Sequence, residues 1–167
     1  QKIRKIMHEV SNKKIDADEA VKKLKFLPFE DLGFAKLDHH RALRKGFPEV
    51  VICHNKTKRQ VAGIVRRLAK NNSVILATRA TKDMFKEVKR HIKAAQYNEK
   101  SNTIIINKKN KIKNSGKILV ASAGTSDISV AEEAAVVAEA MGNRVERLYD
   151  VGVAGLHRLL GNREKME

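Results

Sequence analysis

KILVASAGTSDISVAEEAAVVAEAMGNRVERLYDVGVAGLHRLL, residues 117–160, is the stretch whose pattern decides the fold. Residues 117–121 form a short apolar run of the kind carried by parallel strands buried on both faces. Residues 129–141 follow with small apolar side chains at helical spacing. Ser129, Val130, Ala131 and Glu132 make a candidate capping box at the start of that helix, and Gly142 closes it. Residues 144–149 read as the next strand. A strand, a tight loop, a helix and a second strand predict a right-handed crossover, with both loops leaving the carboxyl edge where open sheets bind ligands. The class expected is α/β, with the opening strand-helix-strand unit of a flavodoxin-like parallel sheet at 116–167.

The two loops hold the chemistry. In residues 121–127 a turn at Gly124 is followed by the Thr125 and Ser126 hydroxyls and by Asp127, all directly before a helix. Free backbone N–H groups and the helix dipole favour a phosphate there. The loop has one glycine, so it matches neither the dinucleotide G-x-G-x-x-G nor the Walker P-loop, which disfavours a nicotinamide dehydrogenase or an NTPase. Ser126 and Asp127 serving only as helix caps is the alternative. The second loop, residues 149–158, is a Gly-rich turn ending in His157 and Arg158. An imidazole exchanges protons near neutral pH and a guanidinium clamps a phosphate or carboxylate. A surface His and Arg without a ligand is the competing reading of that turn alone.

Outward from this unit, residues 103–107 read as a short strand. Residues 81–92 read as a helix capped by Thr81, and 73–78 as a strand. Residues 57–69 form a helix opened by a Thr57, Lys58, Arg59, Gln60 capping box, and 49–53 a buried strand that includes Cys53. Residues 108–116, rich in Lys, Asn and Ser, are the linker candidate, so a small N-terminal α/β domain is expected over 1–113. At the far end, residues 2–27 predict a helical hairpin with Ile3, Ile6, Met7 and Val10 on one stripe and Ala20, Val21 and Leu24 on another, ended by Pro28. Residues 29–47 are irregular and dense in polar groups, and Gly46 to Pro48 marks a turn.

The net charge of +16 is unevenly spread: residues 1–115 carry 29 of the 35 Lys and Arg but only 11 of the 19 Asp and Glu. Such a surplus raises nucleic acid as a partner. With 5 Phe, 2 Tyr and no Trp, base-stacking platforms are scarce, and the lysines lie scattered over helical faces. Solvated helix faces and attraction for small anions account for the same charge. The single cysteine excludes an internal disulfide and a multi-cysteine metal site. Asp38, His39, His40 and Arg41 invite a metal reading, but adjacent histidines point apart and no third ligand is spaced to join them, so no metal site is assigned. No apolar run approaches the roughly 20 residues of a membrane span, and no signal-peptide pattern is present, so a cytoplasmic protein is expected.

The order A-G-T-S-D, a helix of small residues, Y-D and then G-V-A-G-L-H-R resembles the opening of the aminoimidazole ribonucleotide carboxylase/mutase fold of purine biosynthesis. More closely, A-S-A-G-T-S-D, A-E-E-A and Y-D-V-G-V-A-G-L-H-R-L-L resemble the LarB family, pyridinium-3,5-biscarboxylic acid mononucleotide synthase. The segment G-F-A-K-L-D-H-H-R-A-L-R-K-G-F-P-E-V-V, the N-K-T helix cap and A-T-R-A are similar to that family's N-terminal domain, so the likeness spans most of residues 29–160.

The resemblance implies carboxylation of the pyridinium ring of nicotinic acid adenine dinucleotide and cleavage of its phosphoanhydride to release AMP, the first step towards a nickel pincer cofactor. Carbon dioxide or bicarbonate is then the co-substrate, magnesium an optional ion, and no cofactor is held tightly. By the same likeness Ser126 and Asp127 sit at the phosphate and ribose, with Gly124 and Thr125 beside them, and His157 and Arg158 lie near the phosphate or the entering carbon dioxide. His157 and Asp127 are the candidate catalytic groups, while Lys36, Asp38, His39 and Arg41 are candidates to cover the substrate. The family's nucleophilic cysteine belongs to a later segment than any in this sequence, which marks the chain as truncated and inactive alone; Cys53 does not match it. Such a partial sheet is expected to expose a strand edge and the apolar face of the 129–141 helix, which calls for further residues, a stabilising partner or a homo-oligomer. A purine-pathway ribonucleotide carboxylase or mutase and a basic nucleic-acid-binding module are the alternatives.

Overall fold

The computed structural model describes residues 2–25, 29–39, 41, 47, 49–72, 74–107 and 115–166. Pro28, His40, Gly46, Pro48 and most of the expected linker at 108–116 lie outside the described residues. The fold is α/β, as expected, with both parallel and antiparallel strand pairs. It forms two compact units, Gln1–Phe47 and Pro48–Glu167. That division differs from the expected one near 113–116, and helix contacts described below account for it.

In the first unit α1 (Lys2–Ser11) and α2 (Ala17–Lys25) form the expected hairpin. The Asp16 carboxylate accepts the Glu19 N–H at the start of α2, and Lys23 reaches Glu9 at 3.0 Å. Only part of the predicted stripes is covered: Ile6 and Ala20 are buried, whereas Ile3, Met7 and Val21 are exposed. Residues 29–47 are not wholly irregular. β1 (Glu30–Asp31) and β2 (Lys36–Leu37) pair antiparallel around a turn in which Leu32 N–H donates to Ala35 O. Gly33 adopts φ +80°, where glycine is favoured, and donates to the Asp31 carboxylate at 2.7 Å. Two-residue strands are too short to carry a readable alternation.

The second unit is built on a four-stranded sheet of order β3-β4-β6-β5, with β3 Val50–Ile52, β4 Val74–Thr78, β5 Gln96–Asn98 and β6 Thr103–Asn107. β3 and β4 run parallel, joined through α3 (Lys58–Asn71), and the other pairs are antiparallel. Both predicted caps form. Thr57 Oγ1 accepts the Gln60 N–H while Gln60 Oε1 accepts the Thr57 N–H, and Thr81 Oγ1 accepts the Met84 N–H at the start of α4 (Lys82–His91). Val61, Val65 and Leu68 of α3 and Ile75, Leu76, Ile104 and Ile106 of the strands are almost wholly buried and make the core. β5 was not foreseen, because Gln96, Tyr97 and Asn98 show no apolar alternation. Its pairing with β6 and the stacking of Tyr97 on Phe85 at 5.3 Å hold it in place.

β7 (Lys117–Ala121) and β8 (Arg144–Leu148) are parallel neighbours, paired in register from Lys117 opposite Arg144 to Ala121 opposite Leu148. Between them runs α5 (Ile128–Ala140), which packs on β7 and β8 and also on β4 and β6. Ala131, Ala135, Val136 and Ala140 are buried by this double contact, so the apolar face expected to be exposed is covered. That helix joins residues 115–166 to the four-stranded sheet and makes one compact unit. Two further expectations change. β7 is half-exposed rather than buried on both faces, with Ile118 39% accessible, since among the described residues its one hydrogen-bonded neighbour is β8. The Ser129 to Glu132 capping box does not form either, because Glu132 turns into the protein.

Candidate functional site

The loops leaving β7 and β8 are tied together by their backbones. Ser122 N–H donates to Leu148 O at 3.0 Å, Val151 N–H to Ser122 O at 3.1 Å and Gly152 N–H to Ala123 O at 2.9 Å, which prolongs the parallel ladder beyond both strands. Asp150 adopts φ +60°, a left-handed conformation that aspartate tolerates better than most residues. At the junction the Ser122 hydroxyl is buried and has no hydrogen-bond partner among the described residues. The predicted meeting of the two loops at one edge is therefore present in the backbone.

The side chains are less closely drawn together. Thr125, Ser126 and Asp127 form one turn of 3-10 helix before α5, all exposed. The Asp127 carboxylate accepts the Gly124 N–H at 2.9 Å, so that donor is already occupied, and Ser126 Oγ stands 3.5 Å from the other Asp127 oxygen. Arg158 forms an ion pair with Asp150. His157 and Arg158 line a shallow cleft of about 470 Å³ with Tyr149, Asp150 and Lys165. Among the described residues no side-chain hydrogen bond joins 124–127 to 157–158.

The candidate cluster of the first unit engages its own surroundings. Lys36 Nζ lies 4.9 Å from the centre of the Phe29 ring and the Arg41 guanidinium 5.1 Å from that of Phe47. His39 Nε2 meets the Glu30 carboxylate at 2.7 Å, while its Nδ1 and the Arg41 Nε are buried without a partner among the described residues. Asp38 O accepts the Arg41 N–H. Among the described residues no three His, Cys, Asp or Glu side chains are grouped to hold a metal.

Cys53 is fully buried, and burial pushes its thiol up to about 11, despite the nearby Lys56 charge. A thiol held protonated is a poor nucleophile. Cys53→Ala is expected to leave the protein's activity unchanged and to cost about 1 kcal/mol of stability. Loss of product formation in a folded Cys53→Ala protein would reverse this assignment.

Glu132 is the residue that sequence reasoning missed. It is 5% exposed and accepts from Arg147 Nε at 2.9 Å, Tyr149 OH at 2.8 Å and Asn98 Nδ2 at 3.0 Å; Arg147 also reaches Glu139 at 2.6 Å. Burial works to raise the Glu132 carboxyl, but the bonds from Arg147, Tyr149 and Asn98 outweigh it and hold the group below its ordinary value. Burial and the facing carboxylate push the Tyr149 phenol up to about 12. The signal was available: Glu132 shares the helix stripe of Ala135 and Val136, so an acid on that face requires a partner inside.

No helix among the described residues is long and apolar enough to cross a membrane. Comparison with known proteins finds the LarB/PurE-like N-terminal domain over residues 29–109. An uncharacterised protein of Methanocaldococcus jannaschii is 35% identical over 171 residues, an alignment that covers 98% of this chain and 67% of that protein. The two loops lie outside the matched domain but inside the alignment with this relative. The domain match, the relative and the α/β architecture together assign the chain to the LarB/PurE-like family, a relationship that supports a carboxylase or mutase kind of enzyme.

Proposed function

We propose that the protein acts on nicotinic acid adenine dinucleotide, carboxylating its pyridinium ring with carbon dioxide or bicarbonate and cleaving the phosphoanhydride to release AMP. The observation that carries this reading is the backbone zipper of Ser122 and Ala123 with Val151 and Gly152, which brings the A-G-T-S-D and G-V-A-G-L-H-R turns to one edge. Ser126 and Thr125 offer hydroxyls to a phosphate, Arg158 offers a fixed cation, and His157 offers a proton carrier beside them. Asp127 orders the Gly124 turn and faces the ribose. Arg158 must leave Asp150 or share it when the anion binds, and their exposed ion pair opposes that exchange only weakly. By the family likeness, Lys36, Asp38, His39 and Arg41 are further substrate-binding residues. In this reading magnesium is an accessory ion, and the working protein is a cytoplasmic homo-oligomer.

Charge-assisted hydrogen bonds contribute roughly 1.5–3 kcal/mol each. Ser126→Ala and Arg158→Ala are each expected to raise the dinucleotide's dissociation constant about tenfold, the equivalent of about 1.4 kcal/mol. Calorimetry on the two variants checks it. Unchanged affinity in both would reduce these residues to helix caps and surface charge.

A further inference from the structure

We propose that the cleft between the N-terminal ends of α4 and α5 binds the phosphate of a small monophosphate through Arg79, the first turn of α4 and the Ser101 hydroxyl. This cleft, about 700 Å³, is distinct from the 121–127 and 149–158 loops, and the inference does not rest on the functional reading above. On one wall stand Arg79, Thr81, Lys82 and Ser101, and on the other Ser129 and Glu133 of α5.

The Arg79 wall is braced. Arg79 and Asn102 both adopt left-handed conformations, with φ +53° and +51°, and Ala80 N–H donates to Asn102 O at 2.7 Å. The Tyr97 hydroxyl lies 2.9 Å from Ala80 O and 3.0 Å from Asn102 Oδ1, which ties the two turns to β5. Non-glycine residues in that region carry a local backbone cost and persist only where the surroundings over-determine them.

Two observations point to an anion. Ser101 is 3% exposed, its N–H donates to Asn98 and its carbonyl accepts from Thr103, yet its hydroxyl has no partner among the described residues. A buried hydroxyl without a partner, on a residue that lines the cleft, is satisfied when its side chain rotates toward an oxyanion bound there. Arg79 makes no ion pair among the described residues, and it stands where the N–H groups that open the ten-residue α4 add a partial positive charge.

Charge sets the class of ligand. Lys82 is held by Glu99 at 2.7 Å, Asp83 is within 3.4 Å of Lys86, and Glu133 faces the cleft as an acid. One unpaired guanidinium and one helix terminus match a monophosphate, and a pyrophosphate or triphosphate would meet Glu99 and Glu133 with too little compensation. Free phosphate and a nucleoside monophosphate share this chemistry; a ribose would place hydroxyls within reach of Glu133.

Isotope-edited NMR titration of the chain with inorganic phosphate and, separately, with AMP tests the proposal. Saturable shifts are expected at the Thr81, Lys82 and Ser101 amides. Arg79→Asn, which preserves a left-handed backbone, should weaken binding about tenfold or more, and Ser101→Ala by about threefold. Ser126→Ala should leave these shifts unchanged, which separates this site from the loop site. Glu133→Gln should tighten inorganic phosphate; if it weakens AMP, the source is a nucleotide, and if it tightens AMP as well, the phosphate alone is read. Absence of saturable shifts, shifts that survive both Arg79→Asn and Ser101→Ala, or shifts confined to Gly124, Ser126 and Arg158 would overturn the proposal.

Discussion

Replacing Glu132 by alanine is expected to lower the free energy of unfolding by about 3 kcal/mol. The carboxylate is buried and takes bonds from three residues: Asn98 of β5, Arg147 of β8 and Tyr149 just beyond it. Removing it strands the Arg147 guanidinium and the Tyr149 hydroxyl, the situation in which broken buried pairs cost about 3–5 kcal/mol. The lower end applies because the Arg147 side chain is 31% exposed and keeps Glu139. Glu132→Gln should cost less, since the amide oxygen still accepts one bond. The same group sets an acid dependence. Its folded value lies below the ordinary 4.5, so its contribution is complete above that pH and is lost as pH falls through the lowered value. Urea denaturation at neutral pH and below pH 4 measures both effects. A wild-type midpoint for Glu132→Ala at neutral pH would mean that the network adds nothing to stability.

Gly152→Ala is expected to cost about 1–3 kcal/mol and to misalign the paired loops. The backbone dihedrals at Gly152 are ordinary, so strain is not the cause; space is. A Cβ there would stand 3.0 Å from Ala123 O and 3.3 Å from the Ala123 carbonyl carbon and Cβ, none of which is the flexible end of a side chain. The Gly152 N–H to Ala123 O bond would have to lengthen, and with it the ladder that ties the backbone of Ser122 and Ala123 to that of Val151 and Gly152. Thermal unfolding and dinucleotide calorimetry on the variant follow the two consequences separately. Full stability with unchanged affinity would show that the loops tolerate separation.

Much of this was legible in residue order. Thr57 with Gln60 and Thr81 announced helix starts because a hydroxyl followed by a helical stripe satisfies orphan N–H groups locally. The runs at 73–78, 103–107 and 117–121 marked strands, and the spacing of the 117–160 unit placed β7 beside β8. What escaped depends on long-range partners. The polar Gln96 to Asn98 strand exists because β6 accepts it, and the Ser129 capping box fails because Arg147, Tyr149 and Asn98 hold Glu132 inside. The exposed helix face expected from an unfinished sheet is covered by packing on β4 and β6, which local pattern cannot reveal. At the site, the meeting of the two loops followed from strand order, whereas the capture of Gly124 N–H by Asp127 and of Arg158 by Asp150 did not.

The most direct measurement incubates the protein with nicotinic acid adenine dinucleotide and bicarbonate and analyses the products by mass spectrometry. The account predicts AMP together with a pyridinium mononucleotide that has gained a carboxyl group, carrying the heavy isotope when labelled bicarbonate is supplied. Intact dinucleotide, or carboxylation of an aminoimidazole ribonucleotide in its place, would contradict it.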